Sequence, residues 1–266
     1  MKESKQRIVV KVGTSTLTHD SGSLDLRSME QLVRTLADLQ GAGNEIILVT
    51  SGAIAVGTAK LGLAERPREL RMKQAAAAVG QCRMMHIYDK LFSEYSRTVS
   101  QILLTGDDVD DPGRAEHLSG TFSALLEMGV IPIVNENDSV SSAEIETGHH
   151  KVLGDNDTLS AIVAKLCRAD LLVLFSDIDG LYDADPRTHP DARLIHQVRE
   201  LTPQILEMAG GAGSWRGTGG MATKLSAARI AMDAGCDMVI TNGKRMTDLY
   251  GIVEGADIGT RFLAAK

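Results

Sequence analysis

Short apolar segments alternate with longer segments of helical periodicity along most of the chain. The apolar segments are nearly continuous, which is typical of strands that are covered on both faces of a sheet. The segments between them place apolar residues every three or four positions, as amphipathic helices do. This alternation predicts an α/β fold around a mainly parallel β-sheet. The predicted strands span residues 7–12, 45–50, 99–104, 130–134, 170–175 and 237–241.

The first long helix carries the clearest helical pattern. Apolar side chains follow helical spacing between Asp25, which stands where a helix cap is expected, and Gly41, which is a typical stop. Further helices are predicted over residues 73–95, 115–128, 158–166 and 221–234. Pro132 lies inside a predicted strand and is expected at its start or at a bulge, since proline cannot donate to a ladder. The proline-rich stretch 183–203 is predicted to be a loop or small hairpin that crosses between two lobes.

Composition narrows the class of protein. The chain has 266 residues, enough for one sizeable domain or two small ones, and its 43% hydrophobic content is ordinary for a globular protein. A formal net charge of −7 disfavours nucleic acid as the main partner, and no apolar run reaches membrane-spanning length. Isolated cysteines and a polar N-terminus without a signal region predict a cytoplasmic protein. The cysteines are Cys82, Cys167 and Cys236.

Four loops that follow predicted strands carry small and polar residues. Because the carboxyl ends of parallel strands meet at one edge of a sheet, these loops are expected to converge in a ligand-binding crevice. Each loop alone could be ordinary turn chemistry. The loops are Lys11-Val12-Gly13-Thr14-Ser15-Thr16, Thr50-Ser51-Gly52-Ala53, Asn135-Glu136-Asn137-Asp138 and Ser176-Asp177-Ile178-Asp179-Gly180-Leu181-Tyr182.

A glycine-rich loop precedes the helix predicted at 221–234. Glycines and a helix start together present unpaired N–H groups, and Lys224 adds a full positive charge, so the loop favours an anion such as phosphate. Its spacing differs from that of the common P-loop. The alternative is a flexible surface loop without a ligand. The residues are Gly217-Thr218-Gly219-Gly220-Met221-Ala222-Thr223-Lys224.

Two further features could complete a phosphate site. Lys11, at the end of a buried strand, either extends its ammonium group to solvent or faces the phosphate from the side opposite Lys224. The segment Gly154-Asp155-Asn156-Asp157-Thr158 offers more polar residues than one helix cap requires. An acidic residue left over could align the two lysines or help to hold Mg²⁺.

These motifs, in this order, resemble the amino acid kinase superfamily over essentially the whole chain, and within it the glutamate 5-kinase family. The resemblance implies a three-layer sandwich formed by one domain over residues 1–266. A glutamate-binding lobe would span about 1–165 and a nucleotide-binding lobe about 166–266, with no C-terminal PUA-type domain. Besides the loops above, the resemblance rests on Val49-Thr50-Ser51-Gly52-Ala53-Ile54-Ala55, Lys73-Gln74-Ala75-Ala76-Ala77-Ala78-Val79-Gly80-Gln81 and Gly180-Leu181-Tyr182-Asp183-Ala184-Asp185-Pro186.

The implied activity is ATP-dependent phosphorylation of the γ-carboxylate of L-glutamate, the first step of proline biosynthesis. Lys11 and Lys224 would stabilise the phosphoryl group, and Asp157 would orient them. Mg²⁺ would enter with the ATP phosphates, and its protein ligands are not specified. Glutamate would be held by Ser51, Gly52, Asp138 and Asn156. ATP would meet Lys11, Gly13, Ser176, Asp177, Thr218, Gly219, Gly220, Met221, Ala222, Thr223 and Lys224.

The resemblance also implies partners. L-proline would act as a feedback inhibitor, and the chain would form a homo-oligomer, either a dimer or a tetramer. Residues 146–153 are longer than is usual before the Gly-Asp-Asn-Asp motif and are interpreted as an exposed loop insertion that tunes inhibition. Two alternatives to a glutamate kinase are an acid kinase with a different acceptor carboxylate and a non-catalytic nucleotide or amino-acid sensor. The presence of Lys11, Asp157 and Lys224 together argues against a sensor.

Overall fold

The computed structural model describes residues 5–140, 155–208 and 220–265. Within these ranges a single sheet runs through the middle of the molecule. Its strands are β1 (Arg7–Lys11), β2 (Glu45–Val49), β3 (Val99–Leu104), β4 (Ile131–Glu136), β5 (Leu171–Ser176), β6 (Gln197–Val198), β7 (Asp237–Asn242) and β8 (Thr260–Phe262). Their order across the sheet is β3-β4-β2-β1-β5-β7-β8-β6.

The six strands from β3 to β7 in this order pair in parallel, and β8 pairs antiparallel with β7. All six predicted strands are therefore confirmed, whereas the short strands β6 and β8 were not predicted. Pro132 is the second residue of β4, and the register of β4 with β2 begins one residue later, at Ile133. The proline thus sits at the strand start, as the sequence predicts, where its missing N–H does not interrupt the ladder.

The helices cover both faces of the sheet. The Asp25 side chain accepts hydrogen bonds from the backbone N–H groups of Arg27 and Ser28, both at 3.1 Å, which confirms the predicted cap. The helices are α1 (Thr14–Leu17), α2 (Leu26–Gly41), α3 (Ala53–Lys60), α4 (Leu70–Glu94), α5 (Gly106–Asp110), α6 (Pro112–Glu127), α7 (Asn156–Cys167), α8 (Pro203–Met208), α9 (Met221–Asp233) and α10 (Asp248–Val253).

Two apolar cores lie on the two faces of the sheet. In β1, Ile8 and Val10 join the core that includes side chains of α2, α3 and α4, whereas Val9 joins the core that includes side chains of α6, α7 and α9. Burial on both faces explains why the strands are continuously apolar in sequence. The predicted three-layer α/β sandwich around a mainly parallel sheet is confirmed.

Helices α3 and α4 approach each other too closely for any side chain at two glycines. A Cβ atom at Gly57 would overlap the carbonyl oxygen of Ala76, and one at Gly80 would overlap the carbonyl oxygen of Ala53. Glycine permits this backbone contact because it has no Cβ. The contact fixes the start of α3, and with it the preceding loop, against the middle of α4.

The proline-rich stretch 183–203 includes a small hairpin, as predicted. Tyr182 and Leu194 form an antiparallel bridge, and the backbone of Asp183 donates to the carbonyl of Arg193. That this stretch crosses between two lobes stays a prediction. None of the described helices combines the length and the apolar character that crossing a bilayer requires.

Candidate active site

A buried carboxylate lies between two buried lysines at the carboxyl edge of the sheet. Lys11 ends β1, Asp157 is the second residue of α7, and Lys224 lies in the first turn of α9. Lys11 Nζ is 2.6 Å from Asp157 Oδ1, and Lys224 Nζ is 3.0 Å from Asp157 Oδ2. The side chain of Asp157 is only 1% exposed. This charged cluster carries one net positive charge and therefore favours an anion.

The two lysines keep Asp157 ionised. Burial opposes the charged form of this carboxyl, but the ammonium groups of Lys11 and Lys224 outweigh burial and hold its pKa below the usual range. Thr223 Oγ1 also lies 3.1 Å from Asp157 Oδ2. Thr223 was predicted to bind nucleotide, and its contact with the carboxylate was not anticipated. Both oxygens of Asp157 therefore face groups that favour negative charge.

The start of α7 explains why the side chain of Asp157 is not needed to cap the helix and can bind the two lysines. Asp155 caps the helix, accepting from the backbone N–H groups of Asp157 and Thr158 at 2.8 and 2.9 Å. The helix thus begins at Asn156, two residues before the predicted start, and one acid suffices for its cap. Asn156 and Asp157 are free to turn their side chains toward other elements, as the excess of polar residues in the motif indicated.

Asn156 anchors a second, uncharged cluster beside the first. Its Nδ2 lies 2.7 Å from the Thr50 carbonyl oxygen, 2.7 Å from Ser51 Oγ and 3.1 Å from Asn135 Oδ1. Asn135 Nδ2 in turn donates to Gln81 Oε1 at 3.0 Å. We call these four side chains, Gln81, Asn135, Asn156 and Ser51, the amide cluster. It joins the ends of β2 and β4 to the first turn of α7 and the middle of α4.

Sequence reasoning missed part of the amide cluster. From the sequence, Asn135 is placed in the loop after a predicted strand and Gln81 at the end of an alanine-rich motif, and no function is predicted for either. Both residues are buried, Asn135 with 2% and Gln81 with 7% of its surface exposed. Nothing in a helix pattern distinguishes a buried glutamine from a solvated one, so the signal available was weak.

Two predicted glycines lie next to these clusters. Gly52 precedes α3 with a φ of 104°, a left-handed conformation that glycine adopts readily. This turn directs the chain from β2 into α3 directly after Ser51. Gly13 follows β1, and a Cβ atom added there would lie 3.7 Å from Lys11 Nζ. The loop after β1 therefore runs beside the ammonium group of the charged cluster.

Asp138, another predicted glutamate ligand, lies in the turn after β4. It lines a cavity of about 420 Å³ together with Gln81, Ala53 and Glu136. Burial raises the pKa of its carboxyl to about 6, the neighbouring Glu136 carboxylate adds to this rise, and Arg66 opposes it. Gln81 belongs both to this cavity and to the amide cluster, so it connects Asp138 with the surroundings of Asn156.

Apart from Lys11 and Gly13, the predicted nucleotide residues lie at the end of β5 or at and before the start of α9. Ser176 ends β5 and is buried, and its hydroxyl donates to Asp177 Oδ1 at 3.1 Å. Gly220 precedes α9, whose first turn contains Met221, Ala222, Thr223 and Lys224. Among the described residues no side-chain cap is seen at the start of this 13-residue helix, and a helix start leaves N–H groups without helical partners. Thr218 and Gly219 lie outside the described residues, as do Gly217, Gly154 and the stretch 146–153.

Comparison with known proteins identifies the class. Residues 6–242 match the amino acid kinase family. Carbamate kinase from Giardia lamblia bound to AMP-PNP superimposes with a TM-score of 0.66, covering 100% of both chains. A T. acidophilum isopentenyl phosphate kinase product complex gives 0.64, covering 96% of this chain and 99% of that one. Both are 15% identical to this chain, so these two likenesses concern the fold alone. The chain belongs to the amino acid kinase family.

Curated relatives narrow the class further. The glutamate 5-kinase of Clostridium perfringens is 54% identical over 266 residues, covering 100% of this chain and 98% of the relative. That of Listeria monocytogenes serovar 1/2a is 52% identical, covering 100% and 95%. That of Clostridium tetani is 53% identical over 261 residues, covering 98% and 96%. The resemblance to glutamate 5-kinases predicted from the motifs is confirmed.

Proposed function

We propose that this protein transfers the γ-phosphoryl group of ATP to the γ-carboxylate of L-glutamate, forming γ-glutamyl phosphate at the first step of proline biosynthesis. The observation that carries the proposal is the buried Lys11–Asp157–Lys224 cluster next to the amide cluster. The first suits a phosphoryl group and the second suits a small polar acceptor. The curated relatives, named glutamate 5-kinases, supply the identity of that acceptor.

The chemistry requires charge compensation rather than a base. The γ-carboxylate is already ionised at neutral pH, since free glutamate side chains titrate near ~4.3. As a carboxylate oxygen bonds to the γ-phosphorus, the bond to the bridging oxygen breaks and ADP leaves. Lys11 and Lys224 offset the negative charges that converge in this transition state. Asp157 holds both ammonium groups in place, and positioning supplies much of the remaining rate.

The two substrates would occupy the two clusters. Glutamate would contact Ser51, Gly52 and Asn156 beside the amide cluster, with Asp138 as the partner of its α-ammonium group. ATP would lie along Gly13, Ser176 and Asp177 and along the start of α9, with Thr218 and Gly219 among the residues outside the described ranges. The division into a glutamate lobe and a nucleotide lobe is part of this proposal.

Magnesium would enter with ATP and neutralise part of the triphosphate charge. Among the described residues, no three His, Cys, Asp or Glu side chains converge into a metal-binding group. Asp157 is already bonded to two ammonium groups, which suits alignment of the lysines better than binding of a cation. The donor set therefore fits a metal ion that is held mainly by the phosphates.

An assay of several acceptors tests the proposal. ADP release with MgATP is expected to be far faster with L-glutamate than with L-aspartate, N-acetylglutamate or UMP. Hydroxylamine should trap the labile acyl phosphate as a hydroxamate. Equal rates with aspartate would contradict the glutamate assignment and favour another acid kinase. Turnover with none of these acceptors would favour the sensor.

Proline inhibition follows from the same acceptor site. Proline shares the α-carboxylate and charged α-nitrogen of glutamate but lacks the γ-carboxylate, so it can occupy the site near Asp138 and Asn156 without reacting. Steady-state rates at fixed proline concentrations are expected to show inhibition that glutamate relieves. Inhibition that glutamate does not relieve would indicate a separate site. Shortening residues 146–153, outside the described ranges, should change half-inhibition more than kcat.

The proposal extends to assembly and location. We infer a homo-oligomer, a dimer or a tetramer, that acts in the cytoplasm, as the sequence predicts. Sedimentation velocity across a range of protein concentrations measures the assembly. A single monomeric species at every concentration would contradict this part of the proposal while leaving the phosphoryl transfer untouched.

A further inference from the structure

Gln81 uses only half of its hydrogen-bonding capacity. The residue is 7% exposed, and its Oε1 accepts from Asn135 Nδ2 at 3.0 Å. Its Nε2 is buried and has no hydrogen-bond partner among the described residues. A glutamine retained only for the stability of the fold is expected to have both groups paired, because an unpaired buried donor is costly. The bond of its Oε1 to Asn135 therefore explains the presence of Gln81 better than stability of the fold does.

The orientation of each amide in the cluster follows from one fixed point. The Thr50 carbonyl oxygen can only accept a hydrogen bond, so Asn156 must turn its Nδ2 toward Thr50. Asn135, which meets that same Nδ2, must then present its Oδ1 to Asn156 and its Nδ2 to α4. Gln81 completes the chain by presenting Oε1 to Asn135. The consequence is that Asn156 Oδ1 faces away from Asn135, and no hydrogen bond to it is seen among the described residues.

Helix α4 can hold Gln81 in this position. Gly80, the preceding residue, contacts the backbone of Ala53 without space for a side chain. Ala53 begins α3, directly after the Ser51 and Gly52 pair. The backbone contact thus fixes the distance between Gln81 on one helix and the acceptor loop before the other. A residue placed in this way can position the site without touching the substrate.

We propose that Gln81 is a positioning residue for the acceptor substrate. Its Oε1 orients the Asn135 amide, and Asn135 orients the Asn156 amide, whose oxygen shares the ammonium group of glutamate with the Asp138 carboxylate. This inference rests on the proposed function, because it concerns the same acceptor site. It assigns Gln81 to acceptor binding and leaves phosphoryl transfer to the charged cluster.

Gln81→Met tests the role, since methionine fills a similar volume without an acceptor of comparable strength. The KM for glutamate is expected to rise roughly 3- to 10-fold, the loss of about one buried hydrogen bond. The kcat and the KM for ATP should stay within about twofold of wild type. Gln204→Met is the matched control, because Gln204 is an exposed glutamine of α8 outside the candidate site. It should leave all three parameters unchanged.

A double-mutant cycle separates positioning from a general packing effect. In an Asn135→Ala background the connection from Gln81 to Asn156 is already broken. Adding Gln81→Met should therefore change kcat/KM for glutamate by less than about twofold. If the two effects multiply fully instead, Gln81 does not act through Asn135 and the proposal is wrong. Circular dichroism and thermal unfolding establish that each variant folds.

Other outcomes are equally decisive. If Gln81→Met fails to fold, Gln81→Asn, which keeps the amide but shortens its reach by one carbon, must raise the KM for glutamate instead. If a variant folds and its KM for glutamate is unchanged, while the wild-type enzyme phosphorylates glutamate, this inference is wrong and the proposed function stands. Absence of glutamate turnover by the wild-type enzyme contradicts the proposed function and this inference with it.

Discussion

Asn156 and Asp157 are neighbours on α7, yet their side chains enter two chemically opposite halves of the candidate site. Asp157 joins a cluster of full charges, where two ammonium groups meet one carboxylate. Asn156 joins a cluster of amides, a hydroxyl and a backbone carbonyl with no net charge. Charges attract an anion from any direction, whereas neutral hydrogen bonds specify directions. Two consecutive residues of one helix therefore lead into the charged half and the neutral half of the candidate site.

The largest expected effect comes from the centre of the charged half. Asp157→Asn leaves two buried ammonium groups without their carboxylate, so the free energy of unfolding should fall by about 3–5 kcal/mol. Urea denaturation measures this change. Asp155→Asn is the control, because asparagine caps a helix as well as aspartate does and little stability should be lost. Equal losses of unfolding free energy in both variants would mean that the two ion pairs of Asp157 do not set it apart from the helix cap.

The lysines of the charged half should affect the rate rather than acceptor binding. Lys11→Ala and Lys224→Ala are expected to lower kcat by about 10²–10³-fold, because each removes a charge that stabilises the transition state. The KM for glutamate should change much less, which steady-state kinetics can resolve. Lys165→Ala removes an exposed lysine of α7 and should have no effect. A near-normal kcat for Lys224→Ala would remove that residue from the catalytic group.

The neutral half depends on close helix packing, which Gly80→Ala should disturb. Its new Cβ would overlap the Ala53 carbonyl oxygen, so α3 and α4 must separate at a cost of about 1–3 kcal/mol. Thermal unfolding measures the loss, and the KM for glutamate should rise because the loop before α3 moves. Gly120→Ala in α6 meets no neighbouring atom and serves as the control. Comparable stability of the two variants would show that the α3–α4 contact can relax freely.

Asp138 should make acceptor binding depend on pH in a way that the charged half does not. Its pKa of about 6 means that lowering the pH below 6 neutralises the carboxyl expected to meet the glutamate ammonium group. The value of kcat/KM for glutamate should fall by about tenfold per pH unit below 6 through this group. In Asp138→Asn this component of the profile should be absent, at a lower overall kcat/KM. If the pH profile of kcat/KM for the wild type matches that of Asp138→Asn, Asp138 is not the carboxyl that meets the glutamate ammonium group.

Stability should change in the opposite direction over the same range. The folded protein holds the Asp138 proton more tightly than the unfolded chain does, because the pKa is raised from 3.8 to about 6. Lowering the pH through 6 therefore stabilises the wild-type protein relative to Asp138→Asn. When the pH is lowered from 7 to 5, the melting temperature of the wild type should rise relative to that of Asp138→Asn. A constant difference would contradict the raised pKa.

The sequence predicts the charged half better than the neutral half, for a physical reason. Lys11, Asp157 and Lys224 stand in motifs of glycines and polar residues that interrupt the apolar pattern, so each is conspicuous. Gln81 lies within a helix whose pattern is satisfied by any residue of suitable size. Its role becomes visible only when Asn135 and the loop after β2 are brought against it by tertiary contacts.

A similar contrast explains which elements of the fold were predicted. The parallel strands are buried on both faces and leave a continuous apolar signal. Strands β6 and β8 have two and three residues, too few to show any period. Helix α3 was missed because small residues, among them Gly57 at the contact with α4, replace the usual apolar stripe. Elements shaped by one close contact thus remain hidden in the sequence.

Asp157 also ties together segments that are distant along the chain. Its bond to Lys224 spans 67 residues, and its other lysine comes from the first strand. Contacts of such separation form late, because a long loop must close before the contact can form. During synthesis from the N-terminus, β1 and α7 emerge before α9 does. The charged half of the site is therefore complete only after the chain has passed Lys224, so a partly synthesised chain lacks the full cluster proposed to transfer phosphate.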